Sequence, residues 1–352
     1  MSTNCHFFSG GVLSHRFQVR VDNIVIPKLA LNRRTLPFQT DFLIAGTQCR
    51  LSTNSQELLQ AAAAFHRAAL SQNGAPSFEM EIIVDSALDR APERLAYFRG
   101  MGHIVFAILP PRSFIAYDLL RKRAHAVLSD AAARDHSFWK SLFLPITIGV
   151  LGATIGVAPI HCACLERSGR GFLVAGVSGA GKSTLTAALA QRGFPLISDD
   201  WTYISKQQCT LVAHGLFSPL KLLPDAARFF PDLRAFVPRM ALNGEMAYEI
   251  EPEKFHPVAE FTSCSPKWIF FLERTSVPGC RFVPCTSTYT RHFFKSNAER
   301  LPEELPAAQE TRSEIIDRLS EYPSWIVRSG DDPHKTAEAI EQFLPEATLG
   351  PR

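Results

Sequence analysis

Residues 171–203 read GFLVAGVSGAGKSTLTAALAQRGFPLISDDWTY, and this stretch decides how the rest of the chain is read. Within it, Gly176, Val177, Ser178, Gly179, Ala180, Gly181, Lys182 and Ser183 spell G-x-x-x-x-G-K-S, with Thr184 next. That is the wording of a phosphate loop. The apolar run Phe172-Leu173-Val174-Ala175 before it predicts a buried strand, and the Ala/Leu spacing after Lys182 predicts a helix. A polyphosphate needs many donors converging on it. The glycines let backbone N–H groups approach an anion, and the helix start adds unpaired N–H groups and the positive end of its dipole. Lys182 would reach the β- and γ-phosphates. Ser183 would offer a hydroxyl oxygen to Mg²⁺, a hard cation.

Working outward, Gly193 suits the end of that helix, and Pro195 to Ser198 make a short strand running into Asp199 and Asp200. Two acids at a strand end beside a Mg-nucleotide loop have complementary uses: one supports the metal, the other accepts a proton from an attacking hydroxyl. The short gap from Lys182 to these acids separates the chain from transport-type ATPases. Those carry an LSGGQ-like signature, which this sequence lacks.

His161, the strand, the G-V-S-G-A-G-K-S-T loop, the R-G-F turn and S-D-D follow one another in an order that resembles the catalytic domain of the HPr kinase/phosphorylase family. That family is in turn similar to the nucleotide core of phosphoenolpyruvate carboxykinase. The resemblance covers about residues 158–205. It implies an α/β, mixed-sheet phosphate-loop kinase domain that binds ATP and Mg²⁺ at 176–184. Asp199 would be the base toward a serine hydroxyl, with Lys182 and His161 at the phosphates. Ser183 and Asp200 would support the metal. The implied activity is ATP-dependent phosphoryl transfer to a serine of a protein or peptide, in a homo-oligomer.

The chain departs from that family in two places. Thr184 stands where the family has an acidic residue, and no R-G-L-G-I-type segment occurs between Leu211 and Phe261. Neither HPr as the acceptor nor the reverse dephosphorylation follows, therefore. A small-molecule kinase and a non-catalytic ATP-binding regulatory protein remain open beside the serine kinase. Glu249, Glu251 and Glu253 are the candidates for a replacement metal carboxylate, against a solvated strand edge.

Composition bounds the rest. At 352 residues, 46% hydrophobic and 20% charged, the chain is an ordinary globular protein with room for two units. A net charge of +3 gives no footprint for nucleic acid. Eight cysteines without C-x-x-C spacing read as reduced core residues of a cytoplasmic protein, and no basic-then-apolar leader opens the sequence. Residues 141–165 hold no Asp, Glu, Lys or Arg, but Pro145, Gly149, Gly152, Gly156 and Pro159 interrupt them. They are expected to form a buried helix near 143–155 and then a strand near Pro159, not a membrane span.

The expected organisation is an N-terminal α+β unit of unknown role over 1–135 and the phosphate-loop domain over 136–352. In the first unit, strands are expected at 17–26, 42–51, 78–84 and 103–109, with a helix at 56–70. A hairpin is expected around the basic triplet Arg121-Lys122-Arg123, read as a solvated turn. In the second, a hairpin is expected at 202–213 and a helix at 224–236. Lys221, Glu273, Arg274, Arg291 and His292 are weak candidates for phosphate or substrate contact.

Overall fold

The computed structural model describes residues 36–64, 76–88, 97–109, 112–216, 219–240, 245–251, 263–277, 279–298 and 306–347. The expected strand at 17–26 and Glu253 lie outside them. The architecture is mixed α/β, built on two large sheets and one small one.

The first sheet holds β1 (Phe38–Ile44), β2 (Thr47–Thr53), β3 (Phe78–Asp85), β4 (Tyr97–Met101), β5 (Ile104–Leu109), β6 (Ser113–Asp118) and β7 (Arg123–Ser129). Their order is β1-β2-β3-β7-β6-β5-β4, antiparallel except for the parallel pairs β2/β3 and β3/β7. Strict in/out alternation along β2 and β3 leaves one face to be covered. The single strand expected over 42–51 is instead the β1/β2 hairpin. Ala45 (φ 48°) and Gly46 (φ 73°) make a two-residue turn with both central residues left-handed, which the alternation alone does not announce. The β6/β7 hairpin is as expected, and its basic triplet is an ion-paired surface turn: Arg121 bonds Asp118 at 2.8 Å and Arg123 bonds Glu79 at 2.7 Å. Of the helix expected over 56–70, Gln56–Ala64 is present, and residues 65–70 lie outside the described residues.

The covering element is the apolar segment. His136–Ile155 is one continuous helical stretch, with a π-helical turn at Trp139–Phe143 and a 3₁₀ turn at its end. It is 20 residues long with mean hydropathy 1.5, enough by length and composition to cross a membrane, and 67% of it is buried in the protein. Trp139 and Phe143 stack at 4.7 Å, and both join a buried cluster with Leu51, Met80, Ile82, Ile115 and Leu128 of the first sheet. Buried Tyr117 and Thr147 share a hydrogen bond of 3.2 Å, which satisfies both hydroxyls in that apolar setting. Apolar character all round this helix is therefore matched by protein on most of its surface.

The second sheet takes β8 (Val157–Ile160), β9 (Ala163–Arg167), β10 (Arg170–Ala175), β11 (Leu196–Ser198), β12 (Thr202–Gln207) and β13 (Thr210–His214). After β14 (Leu220–Leu222), β15 (Arg239–Met240) and β16 (Met246–Ile250), which form the small third sheet, come β17 (Ser263–Arg274), β18 (Cys280–Pro284) and β19 (Ser324–Ser329). The main path is β11-β9-β10-β17-β13-β12-β8, with β19 on β17 and β18 on β19. β10, β17 and β19 run parallel. β9 is antiparallel to both β10 and β11, so β11 runs in the same direction as β10. Four strands thus end at one edge of this sheet. The helix Lys182–Gln191 and the last helix, Pro333–Ala347, share a buried cluster over one face of it. Residues 224–236 are not the expected helix. Pro231 lacks the N–H that would carry a helix through, and two 3₁₀ turns, Pro224–Arg228 and Pro231–Ala235, stand there instead. Cys49, Cys162, Cys164 and Cys264 are free and buried, as expected of core cysteines, whereas Cys209 is exposed and Cys280 and Cys285 are half-buried.

Candidate functional site

The site is built at the edge where the four parallel strands end, the place where open α/β sheets collect ligands. β10 is buried from Gly171 to Ala175, and Phe172 meets Phe194 and Phe270 edge-on. The strand stops at Gly176. A Cβ there would lie 2.9 Å from the Leu272 carbonyl oxygen and 3.3 Å from the Ala180 Cβ, so only glycine lets the loop leave the sheet this closely. Gly179 (φ 78°) and Gly181 (φ 95°) take left-handed backbone, and Gly181 stands directly before the helix Lys182–Gln191. Val177, Ser178 and Gly179 form the exposed crest of the loop, while Ala180 beneath it is buried. The first helical N–H groups have no intrahelical acceptor and point toward the crest.

Lys182 is 8% exposed. Its Nζ donates to the carbonyl oxygens of Gly176 (3.1 Å) and Val177 (3.4 Å), which curls the ammonium under the loop. Burial lowers its pKa, and the charges of Asp200 and Asp199 oppose that shift. Those charges act on it because the ends of β10 and β11 share the same edge.

The two acids differ in state. Asp199 is 5% exposed; its Oδ2 accepts the Lys221 backbone N–H at 3.4 Å, and its Oδ1 is buried with no hydrogen-bond partner among the described residues. Burial, then repulsion by Asp200, pushes this carboxyl up to about 7, although the Lys221 N–H, the Ser183 hydroxyl and Lys182 draw it down. Burial also acts to raise Asp200. There the hydrogen bond and charge of His161, with the charges of Lys221 and Lys182, outweigh it and hold the carboxyl below its ordinary range. His161 Nε2 lies 3.0 Å from Asp200 Oδ1, and the imidazole lies against the Trp201 ring at 5.4 Å.

Lys182, Ser183, Asp199, Asp200 and His161, named from sequence, therefore lie around one point. Lys221 joins them from β14. The remaining candidates sort differently. Glu251 pairs with Lys140 at 2.5 Å, and Arg291 with Asp317 at 3.0 Å. Glu273 pairs with Arg328 at 3.3 Å, whereas Arg274 turns to the loop: its Nη2 stands 3.0 Å from where a Cβ on Gly181 would be. The turn after β19, with Asp331, also reaches this edge, 3.9 Å from Arg274. Asp332 caps the last helix, accepting the His334 N–H at 2.9 Å.

No group of three or more His, Cys, Asp or Glu side chains with metal-holding geometry occurs among the described residues. Mg²⁺ does not need one, because it is held by one or two carboxylates with substrate phosphates and water. The Asp200 carboxylate, held ionised, and the nearby Ser183 hydroxyl are oxygen donors that suit it.

No protein-family model matches the chain, and no curated protein sequence does. Among solved structures, the fold is weakly similar to that of the Hpr(Ser) kinase/phosphatase from Coxiella burnetii, with a TM-score of 0.31 and 13% identity over 54% of this chain and 90% of that one.

Proposed function

We propose that the chain transfers the γ-phosphoryl group of ATP to a hydroxyl, a serine of a protein or peptide, with residues 136–352 as the catalytic unit. The sequence resemblance supports the choice of acceptor. The observation that carries the reading is the Oδ1 of Asp199: a buried, unpartnered carboxylate oxygen beside Ser183, at the same sheet edge as the glycine loop and Lys182.

In this reading the loop 176–184 cradles the triphosphate with backbone N–H groups, and Lys182 leaves the Gly176 and Val177 carbonyls for the β- and γ-phosphates. Ser183 and Asp200 would hold Mg²⁺, whose charge would offset that of the phosphates. Asp199 accepts the acceptor's proton at Oδ1 as the hydroxyl oxygen bonds to the γ-phosphorus. The bond from that phosphorus to the β,γ-bridging oxygen breaks, and ADP leaves. His161 keeps Asp200 oriented and ionised. Position and charge neutralisation supply nearly all of the rate.

The test is incubation of the full chain with γ-labelled ATP, Mg²⁺ and cell lysate, followed by identification of the labelled species. Label on protein serine is expected, lost with Lys182→Ala and with Asp199→Asn, while Asp199→Asn keeps its Mg-ATP affinity. Label on a small metabolite alone would make this a small-molecule kinase. Tight Mg-ATP binding with no transfer would make it a nucleotide-binding regulator, and no binding at millimolar Mg-ATP would end the proposal.

A further inference from the structure

Lys221 has no part in the transfer steps described above, yet it stands at the acid pair. It lies on β14 between Leu220 and Leu222, each 1% exposed. Those leucines join the buried cluster of Leu185 and Leu189 of the loop helix, so strand alternation turns Lys221 to the opposite side. There β14 is tied to the acids: the Lys221 backbone N–H donates to Asp199 Oδ2 at 3.4 Å. The side chain is half-buried, with Glu249 opposite it on β16, and its ammonium closes no ion pair among the described residues. Burial acts to raise the Asp200 carboxyl; His161 and then Lys221 hold it ionised, and Lys182 contributes less.

From this placement, and resting on the kinase reading above, we infer that Lys221 is a further catalytic residue, whose ammonium donates to an oxygen of the phosphoryl group during its transfer. Lys182 and the loop N–H groups serve the nucleotide from the donor side. Lys221 comes from a separate strand, bonded to the same carboxyl that receives the acceptor's proton. As the acceptor oxygen bonds to the γ-phosphorus and the bond to the β,γ-bridging oxygen breaks, the phosphoryl group moves from the loop toward Asp199. Its outer oxygens stay charged throughout. The contact with Lys221 therefore grows as the contact with the loop weakens, and an interaction stronger in the transition state than in the ground state raises the rate. The acceptor's proton goes to Asp199, and the Lys221 protons stay on Nζ.

The strand makes this cation ready in advance. Two buried leucines fix β14 on one side and the bond to Asp199 fixes it on the other. A donor placed before reaction needs no reorganisation during it. Substitution also separates the two links of Lys221 to the site. Its N–H bond to Asp199 is made by the backbone and survives a change of side chain, whereas its charge does not.

The experiment uses wild type, Lys221→Met, Lys221→Gln and Lys221→Arg. It measures the maximal rate of ³²P transfer from γ-labelled ATP to lysate protein, Mg-ATP affinity by calorimetry, and the Mg²⁺ concentration giving half-maximal rate. Met and Gln should lower the rate about 10²- to 10³-fold, the usual cost of removing one pre-placed transition-state donor, with Mg-ATP affinity and Mg²⁺ requirement each within about twofold of wild type. Arg, which keeps a cationic donor, should recover at least about tenfold of that loss. Rates within about threefold of wild type, in Met and Gln variants that melt as the wild type does, would overturn the inference and leave a lysine that buries its stem and keeps its head in water. A loss of Mg-ATP affinity as large as the loss of rate would overturn it as well, making Lys221 a ground-state phosphate contact. So would a rate restored by excess Mg²⁺, which would make Lys221 a positioning residue for Asp200. Absence of transfer by the wild type would overturn the kinase reading, and this inference with it.

Discussion

The imidazole of His161 donates from Nε2 to Oδ1 of Asp200 at 3.0 Å while lying against the Trp201 ring, so one carboxylate of the pair is held by a side chain that is itself held. Asp199, its neighbour in sequence, has no such partner for Oδ1. This asymmetry assigns separate work to two chemically identical residues.

Removing the His161 contact should therefore act through the metal. His161→Ala should raise the Mg²⁺ concentration needed for half-maximal phosphoryl transfer by about 10- to 100-fold, the usual cost of losing a group that orients a metal carboxylate. His161→Gln, which keeps a donor, should recover part of it. An unchanged Mg²⁺ requirement would show that Asp200 does not serve the metal.

Asp199 makes the fold less stable than it could be. Its folded-state pKa, about 7, lies above the ordinary value of 3.8, so the folded chain holds a proton that the unfolded chain releases. Stability is then lost as pH rises from about 4 to 7, and the buried charge costs most above pH 7. In metal-free buffer at pH 8, Asp199→Asn should stabilise the fold by on the order of a few kcal/mol, and at pH 5 by less than half as much. Melting curves at the two pH values decide this. The same shift at both would mean that burial of the charge is not the cause.

Gly215 holds the acid strand in place. A Cβ there would lie 1.6 Å from the Ile197 carbonyl oxygen, two residues before Asp199, and backbone cannot yield as a side-chain tip can. Gly215→Ala should cost about 1–3 kcal/mol in urea denaturation, at the upper end of overpacking changes, and should lower transfer activity at temperatures where the variant stays folded. Wild-type stability in that variant would refute the close approach.

His214 links the two large sheets. A Cβ on Gly46, in the β1/β2 turn, would fall 2.4 Å from its ring, and its Nε2 meets the Ser205 hydroxyl at 2.8 Å. Burial lowers its pKa to about 4 from 6.5. On acidification the unfolded chain takes up this proton first, so the contribution is lost as pH falls from about 6.5 to 4. The total is on the order of 3 kcal/mol. Asp199 acts in the opposite direction over the same range. The comparison is therefore made between Asp199→Asn and Asp199→Asn with His214→Gln, and the second should have the flatter acid limb. Parallel curves would acquit His214.

Much of the site was legible locally. The loop, its strand and helix, and the S-D-D strand end are contiguous, and each carries its own signal: glycines where the backbone turns left-handed, an apolar run where it is buried, acids where a strand stops. The β6/β7 and β12/β13 hairpins were legible for the same reason. The β1/β2 turn was not, because Ala45 is not a residue that advertises positive φ. Residues 224–236 misled because apolar spacing persisted across Pro231. Arg274 could be named only as an end-of-strand residue, since it stands in no motif.

The amino-acid order alone determined a glycine-rich loop between a buried strand and a helix, with two acids close behind it in the chain, because backbone freedom, helix propensity and strand burial are properties of short segments. Only the tertiary structure decided that β11, β10, β17 and β19 end on one edge, that one acid is clasped by His161 while the other keeps an unbonded oxygen, and that Lys221 reaches both from β14. Those relations depend on pairing between segments up to about 95 residues apart, Arg170 of β10 opposite Ser265 of β17. Pairing at that distance is settled by the packing of the whole sheet, not by any stretch within it.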